Sequence, residues 1–117
     1  MCGLFCYCEI PNDDSPLLLE NALLNLSLLN NRGPDNSSNK FLQYENFNLF
    51  LAHSRLAIQD TSDLYNQPFI NQSTGSHLIY NGEIYDYGIY NKFSNCSSDT
   101  YALSQILEER KLDLSQI

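Results

Sequence analysis

The second residue of the chain is a cysteine followed by glycine, in the opening stretch MCGLF. Initiator methionine is trimmed when the next side chain is small, and cysteine qualifies. Cys2 would then carry both a thiol and a free α-amine. The thiolate is the nucleophilic form of cysteine, and a free thiol titrates near about pH 8.5. An α-amine titrates roughly half a unit to one unit lower, so part of it is unprotonated at neutral pH. One residue could therefore supply a nucleophile and its base. The structural alternative is a small thiol near the end of a buried strand, and a single cysteine does not decide between the two.

A cysteine attacking an amide needs hydrogen-bond donors aimed at the developing oxyanion. Asn81-Gly82, in YNGEIYD, offers two: the Asn81 carboxamide and the Gly82 backbone N–H. The absent side chain at Gly82 would also let a substrate approach. The same dipeptide is a strong hairpin-turn signal, and both readings stay open on local grounds. Arg55, in HSRLAI, could hold an α-carboxylate through a bidentate fork. Glu83 and Asp99 could hold an α-ammonium. Their structural alternatives are a solvated loop arginine, an exposed strand residue and a helix N-terminal charge. His53 could act as a base, although two histidines are ordinary in a chain of this size.

The elements that must position these residues read as follows. CGLFCYCEI, residues 2–10, predicts a strand, and PNDDSP a turn cluster. Ser15-Pro16 suits the cap and first position of a helix. Apolar residues at 19, 22, 23, 26 and 29 give that helix a buried face. It should stop at NRGPD, with Gly33 as C-terminal cap and Pro34 forbidding continuation. NSSNK, residues 36–40, predicts a loop. KFLQYENFNLFLAHSRLAI predicts two strands joined across Glu45-Asn46. FIN and SHLIYNGEIYD predict a second pair, with QSTGS as the turn. Ser98 can cap a last helix carrying Ala102, Leu103, Ile106 and Leu107 on one face. Strand, helix, several strands and helix make an α+β chain.

Composition narrows the function. The 117 residues suffice for one small domain, and 43% hydrophobic content suffices for a core. Six basic against fourteen acidic residues give a net charge of -8. That argues against nucleic acid, whose phosphates need clustered Lys and Arg, and against anionic membrane surfaces. No apolar run has transmembrane length and no signal peptide is legible. A reducing, cytoplasmic location follows as an expectation, with free thiols.

In their order, MCG, RGPD, HSRLAI, Gln67-Pro68, YNGEIYD and SDT resemble the class II glutamine amidotransferase domain of glutamine-hydrolysing asparagine synthetases. The resemblance runs from residue 1 to about residue 107. It implies an N-terminal-nucleophile hydrolase, an αββα sandwich of which this chain is the first part. It implies Cys2 as nucleophile, its own α-amine as proton shuttle, and Asn81 and Gly82 as oxyanion hole. L-glutamine would be gripped by Arg55 at its carboxylate and by Glu83 and Asp99 at its amine, with the backbone at Ile58 and Gln59 lining the pocket. Arg32 to Asp35 would be an architectural loop. No metal or cofactor is implied for this part. ATP and magnesium belong to a synthetase domain, absent from residues 1–117, which would receive the ammonia for an amidation such as aspartate to asparagine.

The sequence departs from the pattern in several places. Cys6 stands where the family carries glycine, and Cys8 is also unusual. Strand alternation puts Cys2, Cys6 and Cys8 on one side. A thiolate metal site with Cys96 is therefore a rival reading, and small core thiols a third. The stretch between Glu83 and Asp99 is short, and Tyr101 replaces an acidic residue. The family domain continues beyond this length. The chain thus reads as a fragment or a natural truncation that needs the remainder of its domain, a synthetase partner or an oligomer. The competing function is a truncated, non-catalytic amidotransferase-like interaction module.

Overall fold

The computed structural model describes residues 1–10, 16–58, 61–85 and 98–110. Strand β1 (Gly3–Glu9) is followed by helix α1 (Pro16–Leu29), β2 (Asn36–Gln43) and β3 (Asn48–Arg55). A single 3₁₀ turn (Asp63–Tyr65), β4 (Phe69–Ile70), β5 (His77–Leu78) and α2 (Asp99–Arg110) complete the order. The strands form two antiparallel sheets, β1-β3-β2 and β4-β5. The described residues make a small α+β domain with two helices, the class the sequence order predicts.

β3 is the central strand, and every residue along it except Leu49 is buried. Its pairing with β1 places Gly3 opposite Ser54, Phe5 opposite Ala52 and Tyr7 opposite Phe50. Directly paired residues share a face. Helix α1 covers this face, where Ala22 and Leu26 pack with Phe50, Ala52, Phe5 and Tyr7. The Phe5 and Phe50 rings meet edge-on at 6.3 Å. Full burial of a phenylalanine stabilises by about 1.5–3 kcal/mol. The other face carries Leu4, Cys6 and Cys8 opposite His53, Leu51 and Leu49. Cys6 and Cys8 are free thiols and exposed in this chain. The helix lies on the side their side chains do not face.

The sequence expectations for residues 36–40, for the buried face of α1 and for Gly33 change. Asn36–Lys40 is the first half of β2, not a loop. Asn and Ser favour turns because their side chains compete for backbone groups, but pairing along all of β3 outweighs that preference. The β2–β3 connection does cross Glu45-Asn46, closed by Tyr44 N–H to the Phe47 carbonyl at 2.9 Å. On α1, Ala22 and Leu26 are buried, whereas Leu19 and Leu23 are exposed together with Leu24 and Leu28. Leucines on nearly every side leave no narrow stripe for periodicity to find. The capping Ser15 lies outside the described residues. Gly33 has no left-handed backbone. Its missing side chain answers a close approach, since a Cβ there would stand 2.2 Å from the Ser54 carbonyl oxygen.

The β4–β5 hairpin turns through 71–76, where Gly75 adopts φ +73° and Asn71 N–H bonds the Ser76 carbonyl at 2.9 Å. β5 ends at Leu78, so YNGEIY is irregular backbone and not strand. Ser98 caps α2, accepting from Thr100 N–H at 3.2 Å. α2 docks on the 67–76 segment through a polar stripe. Gln67 bonds Thr100 at 3.4 Å, Asn71 bonds Ser104 at 3.1 Å, and Thr74 and Ser76 both bond Glu108. Thr100, Ser104 and Glu108 recur at four-residue spacing, one per helical turn. No described helix is long and apolar enough to cross a membrane.

Candidate active site

The start of β1, the end of β3, the segment after β5 and the first turn of α2 converge on a cavity of about 310 Å³. That lies at the small end of the range for small-molecule sites. Cys2, Arg55, Ile58, Asn81, Gly82, Glu83 and Asp99 all line it, together with Met1, Gln67 and Tyr80. Residues from five separate stretches of sequence are thus brought to one place. Gln59 lies outside the described residues.

Cys2 is fixed by both its sulfur and its backbone. The Leu56 N–H donates to Sγ at 3.3 Å. The Cys2 carbonyl accepts from Asn81 Nδ2 at 3.2 Å and from Arg32 Nε at 3.2 Å. Arg32 reaches it because Gly33 presses against β3. Asp35 continues the brace, its N–H bonding the Arg55 carbonyl at 3.0 Å and its carboxylate accepting from Ala57 N–H at 2.8 Å. The RGPD stretch therefore ties the nucleophile candidate to the end of β3. The sequence marked this stretch as architectural without giving its contacts.

Arg55 is buried, and its Nη1 donates to the Ser62 carbonyl at 2.7 Å and to Asn66 Oδ1 at 2.9 Å. These bonds set the plane of the guanidinium at the cavity wall. At the acidic side, Asp99 Oδ2 accepts from Ile84 N–H at 3.2 Å. The Tyr80 phenol is pushed above its ordinary value by burial first, then by the nearby Asp99 and Glu83 charges. The Tyr80 ring folds over Gly82, where a Cβ would come within 2.6 Å of its hydroxyl oxygen. A side chain at 82 would have to displace that ring.

His53 does not serve as a base for Cys2. Its Nε2 lies 3.2 Å from the Tyr80 carbonyl, which can only accept, so Nε2 carries the proton. Nδ1 is buried and has no partner among the described residues. Burial holds the imidazole below its ordinary value of 6.5, opposed by the Tyr80 bond and reinforced by Arg55. His53 is a neutral strut. Below about pH 6.5 the unfolded chain takes up a proton that the fold refuses, so stability is complete above that value and falls as pH drops. The slope from one such group reaches about 1.4 kcal/mol per pH unit. Urea denaturation between about pH 5.5 and 7.5 should show this slope, and His53→Gln should flatten it. Equal slopes in both proteins would contradict the assignment.

Among the described residues no group of three or more His, Cys, Asp and Glu is placed to hold a metal ion. Cys96, the fourth ligand of the rival thiolate reading, lies outside them. Gln67, Tyr80 and Thr100 are cavity residues to which the sequence assigned no role. Gln67-Pro68 was visible as a motif, but nothing local says that its carboxamide points inward.

This arrangement, with a held thiol, an amide donor beside it, one guanidinium and two carboxylates around a small cavity, suits an amino-acid amide. Comparison with known proteins agrees with that chemistry. The family model for the glutamine amidotransferase domain matches residues 1–110, and the chain belongs to this family. A probable glutamine-hydrolysing asparagine synthetase of Acanthamoeba polyphaga mimivirus is 39% identical over 87 residues, covering 74% of this chain and 15% of that protein. The glutamine-hydrolysing asparagine synthetase of Brassica oleracea is 33% identical over 114 residues, covering 93% of this chain and 18% of the relative. Amidase chry2 of Gibberella zeae is 36% identical over 98 residues, 77% of this chain and 14% of its own length. The chain thus spans less than a fifth of the curated relatives it matches. No solved structure matches it significantly.

Proposed function

We propose that residues 1–117 form the N-terminal portion of a glutaminase domain of the asparagine synthetase type, built on an N-terminal-nucleophile αββα sandwich. Removal of Met1 frees the Cys2 α-amine, which takes the thiol proton. The thiolate attacks the carboxamide carbon of L-glutamine, and negative charge moves to the former carbonyl oxygen. Asn81 Nδ2 and the Gly82 N–H stabilise that oxyanion. The proton passes to the leaving nitrogen, ammonia departs, and water hydrolyses the remaining thioester to glutamate. Arg55 receives the substrate carboxylate. Glu83 and Asp99 receive its ammonium, with Ile58 and Gln59 along the wall. In a cytoplasmic enzyme of this kind, ammonia would pass to a synthetase domain outside this chain, with ATP and magnesium activating its acceptor, aspartate by default.

The observation that carries the reading is the convergence of Cys2, Arg55, Asn81, Gly82, Glu83 and Asp99 on one cavity. Met1 lines that same cavity, and while it remains the Cys2 nitrogen is an amide with no basicity. Active protein should therefore lack Met1 by mass spectrometry and release glutamate and ammonia from glutamine in equal amounts. Activity in protein that retains Met1 would remove the α-amine from the mechanism. Glutamine left unchanged by processed protein would remove the glutaminase reading.

A further inference from the structure

We infer that Gln67 is the positioning residue that fixes the Asn81–Gly82 pair against helix α2. The kinetic part of this inference rests on the glutaminase reading above. Gln67 is buried, and its carboxamide uses both ends. Oε1 accepts from the Tyr80 N–H at 2.5 Å, and Nε2 donates to Thr100 Oγ1 at 3.4 Å. Its own backbone carbonyl accepts from Ser38 Oγ at 2.5 Å, which ties it to β2. Tyr80 immediately precedes Asn81, and its carbonyl is held by His53. Three residues beyond Asn81, the Ile84 N–H is held by Asp99. The first turn of α2 therefore anchors the 80–84 segment twice, through Gln67 at one end and through Asp99 at the other. Asn81 and Gly82 lie between the two anchors in backbone that belongs to no strand. With no sheet ladder there, these side-chain bonds set where the two donors sit.

The carboxamide chemistry is specific. The site needs an acceptor for a buried N–H and a donor toward a hydroxyl, one side chain apart, and glutamine supplies both without charge. Beside it stands an internal comparison. Asn71 is also buried and bonds Ser104 one helical turn further along α2, but its carboxamide goes to Ser104 and the Ser73 N–H, away from the 80–84 segment. Asn71 docks the helix alone, whereas Gln67 docks the helix and holds Tyr80.

The test compares Gln67→Met, which keeps the length and removes both bonds, with Asn71→Ala. Amide hydrogen exchange at Tyr80 should accelerate at least about tenfold in Gln67→Met, beyond any change in global stability, and not in Asn71→Ala. In glutamine hydrolysis Gln67→Met should lower kcat by about tenfold or more with KM changed less than about threefold, because misplaced oxyanion donors act on the transition state. Gln67→Glu retains the acceptor, since the Thr100 hydroxyl can turn to donate, and should keep Tyr80 protected. If Gln67→Met does not fold, Gln67→Asn withdraws the acceptor by one methylene and serves in its place. Unchanged exchange at Tyr80, an unchanged kcat, or the same kinetic loss in Asn71→Ala would each overturn the assignment. A wild-type protein that releases no ammonia would instead remove the glutaminase reading, and the exchange comparison would still decide whether Gln67 holds the segment.

Discussion

Cys2→Ala should remove ammonia release from glutamine to background, a loss on the order of 10³-fold or more, because no other group at the site can form the thioester. The fold should survive the change. Cys2 is only half-buried, and its structural bonds run through its backbone carbonyl to Asn81 and Arg32, which alanine retains. What alanine loses is the pair of sulfur contacts to Leu56, the N–H that donates to Sγ and the carbonyl that accepts from it. Cys2→Ser keeps an acceptor for that N–H and should be nearly as stable as the native protein. It should still be inactive to within a few per cent, since a hydroxyl at its ordinary acidity is a far weaker nucleophile than a thiol. Thermal unfolding alongside an ammonia assay separates the two effects. Full activity in Cys2→Ala would take the nucleophile away from this residue. Cys6 and Cys8 would not inherit the role, because they line no part of the cavity.

The residues that do chemistry were legible because chemistry constrains type at short range. A thiol at position 2, a guanidinium at 55 and an amide-glycine pair at 81 stand out wherever they fall. Their convergence follows from the family resemblance and not from the residues themselves, because it depends on pairings such as Leu4 with His53 that no local pattern encodes. β3 was readable for the opposite reason. A central strand is paired along both edges, and here every position but Leu49 is buried, so its apolar and small residues stand out as a run. β2 is hidden from the sequence because Asn36, Ser37, Ser38 and Asn39 carry loop chemistry that only the partner strand overrules. β5 is shorter than its sequence suggests, as Ile79 and Tyr80 are strand-forming residue types. In the structure the Tyr80 N–H bonds Gln67 and its carbonyl bonds His53, so neither is left for a ladder. The face of α2 is only half visible in the sequence. Ala102 is buried as expected, but Thr100 and Ser104 are buried beside it, and hydrophobic periodicity has no means of finding a polar contact stripe.

Asn81→Ala should lower kcat for glutamine by roughly two to three orders of magnitude with little change in KM. The Asn81 amide nitrogen carries two hydrogens. One is committed to the Cys2 carbonyl at 3.2 Å, which holds the carboxamide beside the nucleophile and leaves the second for an oxygen that becomes charged only as the tetrahedral species forms. Asn81→Asp should be at least as poor, because a carboxylate offers the oxyanion no donor and adds like charge. Arg55 should behave differently. It is assigned to a substrate carboxylate whose charge is the same in ground and transition states, so its loss removes uniform binding and raises KM. Arg55→Lys retains the charge but not the planar fork that bonds Ser62 and Asn66 at the cavity wall. A lysine ammonium cannot make those bonds and meet a carboxylate with the same geometry. KM should therefore rise by about tenfold or more, with a smaller change in kcat. Steady-state glutaminase kinetics on Asn81→Ala and Arg55→Lys, with thermal unfolding as control, distinguish these assignments from structural roles, which would shift unfolding and leave both kinetic parameters in place. A rise in KM alone for Asn81→Ala, with a fall in kcat alone for Arg55→Lys, would exchange the two roles while leaving the membership of the family intact.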